Sequence, residues 1–453
     1  MTDAIDDILD GLDLDLDLDD LTPSSTNLPA DFWSARSELD HIRQAAHARA
    51  RSSDALLGVV LARVAAATPP TVRLPAIVGA PGSLNVAVAI VGAPGIGKSS
   101  IVETGAGLVA LDDPAVGDSV PIGSGEGLID AYLGPPVDEV DGVTGDKRRI
   151  RRQVRQGMLA VLDEGQALAE LSSRKGSTLM PTLRTAWTSG VLGQANAAED
   201  RRRRLGAHSY RLAVLIGLQP EHAAALLDDA AGGTPQRFLW LSGIDGSIPD
   251  DAPGWPGPLP WTPPAPTAHG ATPVAHELAV PPEVAAGIRA ANVARTRGEA
   301  VVDTLDAHRD LSRLKVAGLL AVLAGRTRMT VEDWELGGQV LDTSDAVRAQ
   351  LLDRARQQAR AREDAGHRSA VRRERAIDAG RADEAIDRMA ATVARHVHRA
   401  RCDGGCRRRC VTQACRSTDK KVATVDEALD RATVEGWVEV DGDTIRPGSS
   451  RPA

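Results

Sequence analysis

VAIVGAPGIGKSS, residues 88–100, is the stretch on which the reading of the fold turns. Its small and β-branched apolar residues read as a buried strand, its glycines as a tight loop, and the residues after Lys98 as a helix. Residues 92–99 fit G-x-x-x-x-G-K-[ST] without a gap, placing Gly92, Gly95, Gly97, Lys98 and Ser99 in the pattern, with Ser100 next. Each residue type has a chemical reason. Glycines let backbone N–H groups turn inward around phosphate oxygens at a helix N-terminus. A lysine at this position reaches the β- and γ-phosphates of a nucleoside triphosphate, and the serine hydroxyl takes the accompanying Mg2+. ATP and Mg2+ are therefore the expected ligands.

Working outward, short apolar strands at 84–91, 158–162 and 211–217 alternate with helical stretches, the pattern of a parallel α/β sheet. GMLAVLDEGQALAEL (157–171) is a strand ending in Asp163-Glu164. A carboxylate at such an edge suits the magnesium shell, and a second beside it suits polarising the attacking water, so Asp163 is the expected metal-side residue and Glu164 the expected base. YRLAVLIGLQP (210–220) is a third strand, and Gln219 at its end is placed to sense the γ-phosphate. In GGTPQRFLWL (232–241), Arg237 stands between a flexible Gly-Gly and an apolar run. An arginine there suits insertion into a neighbouring subunit's site, and a surface salt bridge is the plainer alternative.

The order SLNVAVAIVGAPGIGKS, GSGEGL, VLDEGQAL, TLRTAWTSGVLG, YRLAVLIGLQP, GGTPQRFLWL resembles the ATPase half of phage, plasmid and integrated-element primase–helicase proteins. These are P-loop ATPases near the AAA+ and superfamily 3 helicases. The resemblance covers about residues 31–350. It implies a ring-forming ATP-driven DNA helicase or translocase, expected as a homo-hexamer acting in replication of a phage or mobile element, with Arg237 acting in trans. If the core were RecA-like instead, Glu126 in GSGEGL would be the base; the adjacent Asp163-Glu164 pair favours Glu164. In superfamily 3 rings the interval before the third strand holds a hairpin pointing into the central channel. Here that interval carries Arg201, Arg202, Arg203 and Arg204, suited to phosphates of single-stranded DNA. A solvated charge run is the plain alternative, and base stacking is unsupported because Tyr210 is the nearest aromatic.

The remainder frames this core. Residues 1–30 open with nine Asp and no Lys or Arg in the first twenty, alternating with Leu and Ile; they read as an acidic disordered tail that solubilises or docks a replication partner. That tail accounts for the whole net charge of −9, while residues 346–421 are strongly basic. Residues 31–74 read as a helical region of two helices, 75–248 as the P-loop core, and 249–282, with eleven of the 27 prolines, as a linker. Residues 283–350 read as a helical lid and 351–380 as a basic helical linker. Residues 381–453 read as three helices and a hairpin, a winged-helix-like domain, with Asp441-Gly442 at the turn. Its would-be recognition helix carries Asp426, Glu427 and Asp430, poor chemistry for a DNA groove, so protein contacts are a rival use. Cys402, Cys406, Cys410 and Cys415 are the only cysteines. They suit Zn2+ by ligand type, although strong zinc signatures pair cysteines two residues apart, and small buried residues are the alternative.

No apolar run has the roughly 20 residues of a membrane span, so a cytoplasmic protein with no membrane partner is expected. The fold class expected is thus α/β: a P-loop NTPase core with a parallel sheet, flanking helical N-terminal and lid regions, and a C-terminal winged-helix-like domain. Two other uses of the same pocket stand beside the helicase: an ATP-switched DNA-binding initiator or regulator without unwinding, and a defence or signalling ATPase.

Overall fold

The computed structural model describes residues 27–140, 147–162, 178–194, 203–227, 232–265, 268–269, 272–300, 306, 308–400 and 405–452. The expected tail lies almost wholly outside them. The chain divides into two compact units, Met1–Ala355 and Arg356–Ala453. Among the described residues no helix is long and apolar enough to cross a membrane.

The first unit is built on a five-stranded sheet: β1 (Val86–Val91), β2 (Val116–Pro121), β3 (Gly157–Leu162), β4 (Arg211–Leu218) and β5 (Phe238–Ser242). All are parallel, in the order β5-β1-β4-β3-β2. Successive side chains of a strand face opposite sides, and here each side has its own core. Val86, Val88, Ile90, Leu215 and Leu241 enter one core; Ala87, Ala89, Val91, Val214 and Trp240 enter the other. With both faces covered there is no polar face to alternate with, which is why VAVAIV is an unbroken apolar run.

One face is covered by α2 (Ser37–His47), α3 (Ser53–Ala67), α4 (Lys98–Leu108) and a helix from much later in the chain, Arg309–Leu323. The other is covered by Gly125–Asp130 and Leu179–Trp187, here α5 and α6. A short α1 (Ala30–Ser34) precedes α2, so the expected two-helix region holds three. Helix α3 is buried from Ser53 to Ala66 and lies close on the sheet. A Cβ on Gly58 would stand 2.5 Å from Leu241 Cδ1 and 2.8 Å from Val88 Cγ1.

The proline-rich segment expected as a linker is a strap on the first unit. The Gly257 and Gly254 carbonyls meet His41 Nε2 and Gln44 Nε2 of α2 at 2.9 Å, and Trp261 Nε1 donates to the Val322 carbonyl at 2.8 Å. Proline prevents regular structure, but it leaves carbonyls free to accept from neighbours. Three helices follow: α7 (Pro282–Thr296), α8 (the Arg309–Leu323 helix already met) and α9 (Val331–Arg399). The expected linker at 351–380 is the middle of α9.

In the second unit the end of α9 packs with α10 (Arg408–Ala414), α11 (Val425–Val434) and three antiparallel strands, β6 (Cys406–Arg407), β7 (Val438–Asp441) and β8 (Thr444–Pro447), ordered β6-β8-β7. Gly442 turns the β7–β8 hairpin at φ +60°, the positive φ that primed turns require.

A buried polar cluster ties the N-terminal helices to the C-terminal edge of the sheet. Asp54, 1% exposed, accepts from the Leu28 N–H at 3.0 Å and Asn27 Nδ2 at 3.3 Å. Beside it the Ser53 N–H donates to Asp245 at 3.0 Å, and Ser52 Oγ donates to the Ser242 carbonyl at 2.7 Å. Burial, with Asp245 nearby, pushes the Asp54 carboxyl up from 3.8 to about 7 despite its two donors. The folded chain therefore keeps a proton that the unfolded chain has released. The stability this confers is complete below the unfolded value and is lost as pH rises through about 7. Accordingly, the thermal unfolding midpoint should fall as pH rises from about 4 to 7, and Asp54→Asn should flatten that fall and exceed the parent at pH 8. An unchanged slope by calorimetry would remove Asp54 as its source.

Candidate functional site

In a parallel sheet all strand C-termini share one edge, and ligands of such sheets bind there, where the strand order reverses. Strand β1 is held at that edge from both sides: the Gly92 N–H donates to the Leu218 carbonyl at 3.0 Å, and the Gly243 N–H to the Val91 carbonyl at 2.7 Å. The loop 92–97 leaves from this fixed point. Ile96 folds back over Gly92, where a Cβ would stand 2.7 Å from Ile96 Cγ2. Gly95 and Gly97 have φ of +82° and +83°, the left-handed region, and Gly97 caps α4. Lys98 is the first residue of α4, and its Nζ donates to the Gly92 and Ala93 carbonyls at 2.8 and 3.1 Å. The loop is thus curled around the ammonium. Burial pulls the Lys98 pKa down, opposed by Glu221. Ser99 is exposed on the first turn of α4, and the half-buried Ser100 accepts from Arg51 Nε at 3.2 Å.

The strand order brings the other expected residues to this loop. Strand β4 lies between β1 and β3, so Gln219, directly after β4, stands between the loop and the end of β3. Asp163 and Glu164 follow Leu162, the last residue of β3, and lie outside the described residues. Glu126 stands elsewhere. It opens α5, after edge strand β2, which is three strand spacings, about 14 Å, from β1. Its own N–H and the Thr178 hydroxyl, at 2.8 Å, hold it below the usual carboxylate range. A carboxylate so stabilised is a weak base.

Arg237 lies at the opposite edge of the sheet. Phe238 is paired with Ala87, so Arg237 is level with the start of β1, about 20 Å along the strand from Gly92. Its guanidinium bonds the Gly233 carbonyl and lies 5.6 Å from the Trp187 ring centroid. That ring also carries Lys315 Nζ at 3.9 Å and His308 at 5.6 Å. Lys315 is 2% exposed and donates to the Asn85 and Trp187 carbonyls; burial, with Arg211 and Arg237 nearby, drives its pKa well down. Burial and the same Arg237 and Lys315 push His308 down to about 4, leaving a neutral imidazole.

A hairpin does form before β4, from Leu192–Gln194 and Arg203–Leu205. Arg201 and Arg202 lie outside the described residues. Arg204 is exposed, but Arg203 is committed: its Nε bonds Asp130 at 2.9 Å, and Asp130 also holds Arg151. A local carboxylate thus meets one of the four charges expected to face DNA. In the second unit the same holds: Arg431 pairs with Asp383 and Asp387, Arg388 with Asp419, and Arg408 with Asp426.

The cysteines divide. Cys406 and Cys415 are buried in the apolar core of the second unit, and Cys410 Sγ lies 3.1 Å from His396 Nε2. Cys402 lies outside the described residues, and among those described no three metal-ligating side chains come together.

Two features had no signal in the sequence. One is Arg51 beside the loop; the other is the cationic group around Trp187. Both join residues far apart in the chain, and neither has a local pattern.

Gly97→Ala should separate loop geometry from general stability. A Cβ at φ +83° costs about 1–2 kcal/mol, and it would stand 2.7 Å from the Arg51 guanidinium carbon. The thermal midpoint should drop for Gly97→Ala and stay put for Ser99→Ala, whose hydroxyl is exposed. Equal midpoints would mean the loop adopts another shape.

No protein-family model matches this chain, and no curated protein matches it.

Proposed function

We propose that this chain is a Mg2+-dependent ATP hydrolase that assembles head to tail into a ring, expected as a hexamer, and moves along DNA. The observation that carries the proposal is the loop curled around Lys98, with left-handed Gly95 and Gly97, at the end of the central strand. Replacing the two carbonyls on Nζ by phosphate oxygens needs no rearrangement of the strand. The N–H groups of the first turn of α4 then add to the same anion. Ser99 has the chemistry to hold the Mg2+ that accompanies the nucleotide and that neutralises charge on the β- and γ-phosphates. Gln219 orients water, and Glu164 takes its proton.

The position of Arg237 supports a ring. Its own loop is out of reach, so any phosphate it serves belongs to a neighbour, and a head-to-tail interface that closes makes a ring. The hairpin with Arg204 supports a DNA contact. A second reading, an ATP-driven switch that does not unwind, is favoured by the pairing of Arg203 with Asp130. The second unit has the element order of a winged helix, and its internally paired arginines favour protein contacts over DNA.

Lys98→Ala should abolish ATP hydrolysis with the fold intact by circular dichroism. Glu164→Gln should bind ATP but hydrolyse it at least about a hundredfold more slowly, the loss of a general base. Normal turnover in Glu164→Gln would return the role to another carboxylate. Arg237→Ala alone should be inactive, yet mixing it with Lys98→Ala should restore activity, because some interfaces in mixed rings are intact. No recovery at any ratio would refute action in trans. Strand displacement decides the use: a helicase loses unwinding when Arg201, Arg202 and Arg204 become Ala, with basal hydrolysis retained. A switch shows no unwinding in the parent protein.

A further inference from the structure

The geometry points to Arg51, from the N-terminal helical region, as a second phosphate-binding cation in the nucleotide site, serving the α-phosphate end of a bound nucleoside di- or triphosphate. This rests on the proposed nucleotide-binding role of the 92–99 loop.

Arg51 lies between α2 and α3, and both sides fix it. Its N–H closes α2 on the Ala46 carbonyl at 2.9 Å, after Ala50 at φ +49°, a left-handed conformation that non-glycine residues rarely take. The next residue, Ser52, caps α3 and bonds the end of β5. The backbone at Arg51 is therefore held against the sheet edge that carries the loop.

The guanidinium is spread on the loop. Its Cζ, Nε and Nη2 stand 2.7, 2.8 and 3.0 Å from where a Cβ of Gly97 would be, a seat that only glycine leaves open. Nε donates to Ser100 Oγ and Nη1 to the Ala50 carbonyl. Among the described residues Nη2 has no hydrogen-bond partner, and no carboxylate lies within 4 Å of the group.

Two cations and a helix N-terminus thus meet around one loop. Like charges gathered beside partial positive charge repel, and an anion in the loop relieves all three at once. Their places divide the work. Lys98 is curled toward Gly92 and Ala93, at the start of the loop, the end suited to β- and γ-phosphates. Arg51 lies over Gly97 and Ser100, on the first turn of α4, so the phosphate it meets is the one nearer the nucleoside. A planar guanidinium with a free edge suits two phosphate oxygens.

The test is equilibrium binding of ADP and of adenosine to the full chain, for the parent, Arg51→Ala, Arg51→Lys and Arg51→Gln. Losing one charge-assisted contact should weaken ADP binding by about 10–100-fold in Arg51→Ala. Adenosine binding should be unchanged, and the salt dependence of ADP binding should be shallower. Arg51→Lys should recover part of the affinity. Arg51→Gln keeps a donor for Ser100 without the charge, and it should lose ADP affinity like Arg51→Ala; it reads the charge if the alanine variant fails to fold. Parent-like ADP affinity in Arg51→Gln, or equal losses for ADP and adenosine, would overturn the assignment to phosphate. A parent protein that binds no ADP would instead overturn the nucleotide reading of the loop, and this assignment with it.

Discussion

Everything in the first unit depends on covering a parallel sheet on both faces. Once Val88 and Ile90 are buried under α3 and Ala87 and Ala89 under the opposite layer, no polar side chain has a place along β1. The charged groups that meet β1 and β4 stand at the two ends of the strands. At the C-terminal edge the backbone itself runs out of partners, and a loop of glycines and a helix N-terminus supply N–H groups instead. The same coverage makes Gly58 necessary, because α3 lies too close to the sheet for a side chain there.

The two edges both carry cations, handled differently. At the C-terminal edge Lys98 and Arg51 keep loop carbonyls and hydroxyls as partners, weak acceptors that an anion displaces readily. At the N-terminal edge Arg211 bonds the Thr68, Pro69 and Val72 carbonyls, and Lys315 those of Asn85 and Trp187. Those two act as clamps. They tie the end of α3 and the end of α6 to the starts of β1 and β4, and the ring of Trp187 supports Lys315 and Arg237 together.

Elsewhere charge is spent locally. Asp130 gathers Arg151 and Arg203 and so braces the hairpin against α5. In the second unit Arg388, Arg408 and Arg431 pair with its own aspartates, and a reciprocal Thr424–Glu427 box caps α11. Those three charges are met within the unit itself.

The sequence by itself determined the strand–loop–helix at 88–108, the three strands that carry Val91, Leu162 and Leu218, and the turn at Gly442. Each rests on local chemistry: a period, a glycine with positive φ, a residue type at a fixed offset. Only the tertiary structure decided the order of the strands, and with it that Gln219 stands beside the loop while Glu126 and Arg237 do not. It also decided that the proline-rich segment is a strap, that Asp130 takes Arg203, and that Arg51 reaches Gly97. These are pairings between residues distant in the chain, set by which faces must be buried together. No window of sequence contains both partners.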